Sequence, residues 1–177
     1  MNRMTAVMFL GLLLLPGCEE KVKPSIDPGA SKELPSQESW NSTVVFSDSA
    51  HLKAVLWSGH IASYASRQVT EMSDSVHVDF YNEQEQHTSV MTARRGVLHD
   101  ATRDLEAYEH VVVISDSGTT LKTERLFWNN ATQKVYTDAF VDIQSPKEHI
   151  MGHGMESDQS LKNYKIFKVT GQAINNE

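Results

Sequence analysis

Histidine and glycine side chains near residue 150 have the types that metal or phosphate chemistry uses. His149 and His153 are four positions apart, and on a helix this spacing lets two imidazoles share a metal ion. In a β-strand the same spacing separates them by roughly 13 Å, which is too far for one ion. Gly152 and Gly154 flank His153 but lack the lysine and the following helix of a phosphate-binding loop. We therefore expect neither a metal site nor a cofactor.

Side chains for acid–base or nucleophilic catalysis are also not arranged for it. Asp138 and Asp142 fall on the predicted outer face of a strand, where carboxylates are solvated rather than paired for proton transfer. No serine has the glycine spacing of a nucleophile elbow, and residues 115–118 are typical of a hairpin turn. We expect that the protein is not an enzyme.

The residue with the clearest chemical role is the single cysteine, Cys18. It follows a positively charged start and an apolar run over residues 6–15, which is shorter than the roughly 20 residues of a membrane-spanning helix. This is the pattern of a secretory signal peptide. The Leu-Pro-Gly-Cys sequence that ends it resembles a bacterial lipobox, which implies that residues 1–17 are a lipoprotein signal peptide and that Cys18 is lipidated.

Composition separates a tether from a folded domain and excludes one class of partner. Residues 18–39 hold several prolines, lysines, serines and glutamates and read as a disordered tether. The chain of 177 residues has 16 basic and 23 acidic side chains, a net charge of −7. Because binding to phosphate backbones needs basic patches, we expect no nucleic-acid partner.

A strand–turn–strand pattern recurs about every 30 residues and predicts the fold of residues 40–174. Leu121 lies 31 positions after Val90, and Ile150 opens a weaker copy 29 positions after Leu121. Within the copies apolar and polar residues alternate, as in a strand with one buried face. Residues 50–64, the only candidate helix, also fit a strand better. Stacked copies of this kind predict an all-β domain of antiparallel strands.

The inward positions of these strands are either an ordinary core or the lining of a lipid groove. Apolar burial gives about 25 cal/mol per Å² in both cases, so the pattern alone leaves both readings open. The candidate groove residues are Val76, Val78, Val111, Val113, Val135, Val141, Ile143 and Ile150.

Residues 123–128, 135–141 and 150–158, with sequences TERLFW, VYTDAFV and IMGHGMESD, resemble the C-terminal half of the LptC family of lipopolysaccharide-export proteins. The resemblance runs from about Phe46 to Thr170. It implies an open, twisted β-jellyroll with an apolar groove for the acyl chains of lipopolysaccharide. It also places the glycines Gly152 and Gly154 near the C-terminal edge, where they are candidates for a docking site.

The resemblance also implies partners and a location. The partners are an LptF/LptG-type permease with its LptB ATPase at the N-terminal edge and an LptA-type bridge protein at the C-terminal edge, each joined by strand addition. The protein would be periplasmic and held at the inner membrane by lipidated Cys18, where many family members have a transmembrane helix. The alternative is a structural envelope lipoprotein whose sheet serves only as a scaffold for other proteins.

Overall fold

A computed structural model of the chain describes residues 33–174, and these form β-strands without any helix. The predicted signal peptide, Cys18 and residues 19–32 of the predicted tether lie outside the described residues. The first strand begins three positions before the expected domain start. The strands are β1 Gln37–Asp48, β2 His51–Tyr64, β3 Val69–Tyr81, β4 His87–Ala93, β5 Arg95–His99, β6 Leu105–Ser115, β7 Thr120–Asn129, β8 Lys134–Gln144, β9 Glu148–Asp158 and β10 Tyr164–Ile174.

The strands form one antiparallel sheet, which confirms the all-β prediction and fits a β-jellyroll. Neighbours follow the order β1-β2-β3-β4-β6-β7-β8-β9-β10, and β5 pairs with β3 and β6. Strands β4 and β5 together fill one position, interrupted at Arg94. The sequence repeat is therefore a pair of strands, since Val90, Leu121 and Ile150 lie on β4, β7 and β9. The helix candidate is strand β2, as the sequence predicted.

A line of irregular residues crosses the sheet and bends its strands. Asp74 and Ser75 in β3 and Glu109 and His110 in β6 have positive φ angles, as does Gly154 in β9. The strand register shifts beside Asp74 and Ser75 in β3 and beside Glu109 and His110 in β6, as expected for β-bulges. A left-handed conformation costs a non-glycine residue about 1 kcal/mol or more, so surrounding contacts must hold these residues in place.

Ion pairs connect neighbouring strands along this line. The Arg95 guanidinium lies 2.6 Å from Glu109, and Arg125 donates two hydrogen bonds of 2.7 and 2.8 Å to Asp138. A bidentate arginine–carboxylate pair is among the stronger surface interactions. The bend is thereby fixed across strands β5 to β8.

The bend folds the sheet onto itself, so the two halves of a strand face each other. Tyr164 pairs with Ser157 near the end of β9, yet its hydroxyl donates a 2.8 Å hydrogen bond to Glu148 at the start of β9. Phe80 and Trp128, from the non-adjacent strands β3 and β7, contact each other with ring centroids 6.0 Å apart. The hydrophobic core lies between these two layers.

Candidate functional site

The middle of the domain is a packed core, and it contains the residues predicted to line a groove. An interior void there is about 10 Å³, too small for a lipid chain. The predicted groove residues lie in this interior, where side chains of the facing layer pack against them, and their role in lipid binding stays a prediction. Those residues are Val76, Val78, Val111, Val113, Val135, Val141, Ile143 and Ile150, all buried, and Val78 also borders an open cleft.

An open cleft instead lies at the β1 end of the folded sheet, and we call it the β1 cleft. It consists of two cavities of about 580 and 240 Å³. Both are lined by Phe46, Leu56 and Leu98, so the two cavities adjoin each other. The larger falls within the roughly 300–1,000 Å³ of typical ligand pockets.

The β1 cleft has a mixed lining of apolar and polar side chains, and the charges of its lining residues balance. Phe80, Leu105 and Trp128 line the larger cavity together with the three shared residues. Its charged lining residues are Lys53, Arg103, Asp48 and Glu83. This arrangement offers apolar surface to a ligand and has no net local charge.

Strand β1 covers this cleft and is attached along one side only. Within residues 33–174 it pairs with β2 and with no other strand. The Trp40 ring stacks on His60 with centroids 5.2 Å apart, and His60 lies 3.3 Å from Glu38. Trp40 and Val45 remain 63% and 62% exposed. The free side of β1 is therefore an apolar, unpaired sheet edge, of a kind that proteins usually protect unless a partner binds there.

The loop between β9 and β10 closes the cleft on its inner side. Ser89 donates a 2.9 Å hydrogen bond to the Gln159 carbonyl, and the Gln159 amide donates one of 3.2 Å to the Tyr81 carbonyl. Leu161 in the same loop is only 1% exposed. The loop thus joins the β9 layer to the β3–β4 layer.

Asp158 shapes this loop. Burial favours the neutral carboxyl, but hydrogen bonds from Asn163, Ser160 and the Lys162 backbone N–H outweigh burial and hold the pKa of Asp158 below its usual value. The ionised side chain therefore stabilises the turn that positions Leu161.

The second unpaired edge of the described sheet is β10, which pairs only with β9. Phe167, Val169 and Ile174 are 57%, 54% and 71% exposed on it. Gly152 and Gly154, expected at the docking edge, lie one strand inside it on β9. A Cβ atom at Gly152 would stand 2.5 Å from the Lys168 carbonyl oxygen, so this glycine allows β10 to approach β9.

The histidines and carboxylates considered for chemistry have structural partners. His149 lies 2.6 Å from Asp142, and His153 packs edge-on against Phe140 with ring centroids 5.3 Å apart. Asp138 pairs with Arg125. Residues 33–174 contain no group of three potential metal ligands.

Sequence reasoning missed Phe46, Leu98 and Trp128 as cleft residues. Each is partly buried and packs against the core, and in the sequence each looks like an ordinary inward strand residue. Only the bend of the sheet decides which inward positions are filled and which remain open.

Comparison with known proteins gives a family. A family model described as "LptC: Lipopolysaccharide-assembly, LptC-related" matches residues 5–173, almost the whole chain. A search of curated proteins found no match. In the part of the chain that the structure describes, no helix is long and apolar enough to cross a membrane.

Proposed function

Since the chain belongs to the LptC family and thus has a role in lipopolysaccharide transport, we propose that it binds lipopolysaccharide acyl chains in the β1 cleft. The observation that carries this proposal is a cleft of about 580 Å³ whose lining includes aromatic and leucine side chains, beside the unpaired edge of β1. Burial of acyl chains there gains about 25 cal/mol per Å² of apolar surface. Such binding needs no specific polar contacts. The protein itself performs no chemistry.

The two edges suit a relay between other proteins. Partner strands would extend the sheet at β1 and at β10, because each presents unpaired backbone groups beside exposed apolar side chains. A permease of the LptF/LptG type with its LptB ATPase would join at β1, and an LptA-type bridge would join at β10. ATP hydrolysis in the separate ATPase would supply the energy for lipid movement.

Anchoring by lipidated Cys18 would hold the domain in the periplasm at the inner membrane. Two or more acyl chains on one protein give stable anchoring, where one chain would be marginal.

Photo-crosslinking tests lipid binding with matched aromatic positions. A benzophenone amino acid replaces either Phe46, which lines the β1 cleft, or Phe140, which is 44% exposed on the outer face. In cells, we expect a lipopolysaccharide adduct from position 46 and none from position 140.

Adducts of equal yield at both positions, or from position 140 alone, would contradict the proposal. A benzophenone amino acid in place of Phe167 on β10 tests the alternative. Protein adducts from position 167 without a lipid adduct from position 46 would indicate that the protein is a scaffold. That outcome would support the structural lipoprotein as the alternative function.

A further inference from the structure

A second cleft lies at the opposite end of the folded sheet from the β1 cleft, and its lining is basic. It has a volume of about 690 Å³ and is lined by Lys134, Lys147, Lys162 and Lys165. We call it the lysine cleft. Lys134 begins β8, Lys147 lies in the turn between β8 and β9, and Lys162 and Lys165 lie where β10 begins. Three separate segments thus bring four cations to one concave surface.

The acidic residues of the lysine cleft already have partners. Glu156 lies 3.5 Å from Lys134. Glu148 accepts hydrogen bonds of 2.8 Å from Tyr164 and 3.0 Å from Gln172. Lys147, Lys162 and Lys165 form no ion pair with any residue of the described range 33–174. The four lysines and two glutamates that line the cleft leave a local excess of two positive charges.

The positive charge of the lysine cleft contrasts with the net negative charge of the whole chain. The whole protein has a net charge of −7, and the larger cavity of the β1 cleft has two basic and two acidic lining residues. Electrostatic forces between exposed charges fade over about 8 Å at physiological ionic strength. A ligand inside the lysine cleft therefore experiences its lysines rather than the net negative charge of the chain.

The lysine cleft also lies at the end of the apolar interior. Leu161 lines both this cleft and the small interior void, and Gln159 lines both the void and the β1 cleft. The two clefts are therefore separated by the β9–β10 loop and the packed core.

We propose that the lysine cleft is an anion site that binds phosphate groups, and that their source is the phosphorylated sugar headgroup of the transported glycolipid. The assignment of the lipid source rests on the proposed function. Lysine ammonium groups bind phosphate oxygens through charge-assisted hydrogen bonds, and four of them can contact a headgroup that carries more than one phosphate. The cleft would hold the headgroup at the β10 edge, where the next protein joins.

Paired lysine substitutions in the full chain test this site. The variant Lys162→Gln/Lys165→Gln removes two cleft charges, and Lys122→Gln/Lys168→Gln removes two charges from exposed positions outside the cleft. All four lysines are exposed, so both variants should fold, which circular dichroism can verify. The probes are bisphosphorylated lipopolysaccharide, the same lipid after phosphatase treatment, and inorganic pyrophosphate.

We expect the cleft variant to bind the phosphorylated lipid and pyrophosphate at least about tenfold more weakly than the wild type, because it loses charge-assisted bonds. Its affinity for the dephosphorylated lipid should stay unchanged, and the control variant should behave like the wild type. If the cleft variant binds phosphorylated lipid as the wild type does, the anion site is wrong.

The three probes distinguish a failure of the phosphate site from a failure of the proposed function. A wild type that binds both lipids equally tightly has a lipid site but no phosphate site, which overturns only the present inference. A wild type that binds pyrophosphate through the lysines but binds neither lipid assigns the cleft to free phosphate. That result overturns the lipid source and the proposed function together. If no probe binds, both proposals are overturned.

Discussion

The hydroxyl of Tyr164 donates a 2.8 Å hydrogen bond to Oε1 of Glu148, and this bond connects the start of β10 to the start of β9. Tyr164 pairs with the end of β9, whereas Glu148 begins β9. Burial and the bond to Glu148 raise the pKa of Tyr164, so the hydroxyl remains protonated and able to donate. The contact therefore closes the fold of the sheet at its C-terminal end.

Removal of this hydroxyl tests the closure. Tyr164→Phe should lower the free energy of unfolding by about 1 kcal/mol, the usual worth of one hydrogen bond, because Glu148 keeps its bond to Gln172. Tyr136→Phe is the matched control, since Tyr136 is 45% exposed. Chemical denaturation measures both variants, and equal stability of the two would show that the contact contributes nothing.

Two isoleucines distinguish a packed core from an open groove. Ile143 is 0% exposed and Ile114 is 52% exposed. Ile143→Ala should lower the free energy of unfolding by about 2–5 kcal/mol, because the packed layers cannot fill the cavity that it leaves. Ile114→Ala should change it by no more than about 0.5 kcal/mol.

Thermal and urea denaturation of both alanine variants provide the comparison. A loss at Ile143 as small as that at Ile114 would mean that the middle of the domain is loosely filled and accessible. The groove would then include the sequence-predicted residues after all.

The strands were predictable from the sequence because alternation reports directly which face is buried. In β8, Val135, Val141 and Ile143 are buried while Tyr136 and Phe140 are exposed, as their spacing indicates. The repeat likewise predicted the strand pairs, because each copy carries its own turn residues. Local periodicity is sufficient for these features.

The position of the open cleft was not predictable in this way. Val141 and Phe46 both look like inward strand residues, yet Val141 is 0% exposed in the core and Phe46 lines the cleft. The difference arises from the bend at residues such as Glu109 and from the loop that inserts Leu161. Both are long-range features that no spacing along a single strand encodes.

Glycine at position 152 should be required for the last strand to pair. In Gly152→Ala the new Cβ would lie 2.5 Å from the Lys168 carbonyl oxygen and 2.6 Å from Cγ2 of Ile166. We expect a loss of about 1–3 kcal/mol from overpacking. Amide hydrogen exchange in β10 should become faster, because the strand must move away from β9.

Gly171→Ala is the control on β10 itself. Its Cβ would meet only the terminal methyl group of Met151 at 3.0 Å, and a flexible methionine can move aside. Protection of the β10 amides that is unchanged in Gly152→Ala would refute the role of this glycine.

Alkaline pH should weaken the fold through Tyr108. Burial and a hydrogen bond to the Glu106 carboxylate raise the pKa of Tyr108 from 10.0 to about 12. A raised pKa in the folded state gives stability that is complete below pH 10 and is lost as the pH approaches about 12. Unfolding free energies measured across that range should therefore fall more steeply in the wild type than in Tyr108→Phe. Parallel curves for the two proteins would exclude this contribution.

Quenching of individual tryptophans tests the central claim, that acyl chains lie in the β1 cleft. The chain has three tryptophans. Trp128 lines the cleft, whereas Trp57 is 37% exposed on the outer face. The variant Trp40→Phe/Trp57→Phe leaves only Trp128, and Trp40→Phe/Trp128→Phe leaves only Trp57.

Lipopolysaccharide with brominated acyl chains should quench the fluorescence of Trp128 strongly and leave that of Trp57 nearly unchanged. Equal quenching of both, or quenching of Trp57 alone, would contradict the account.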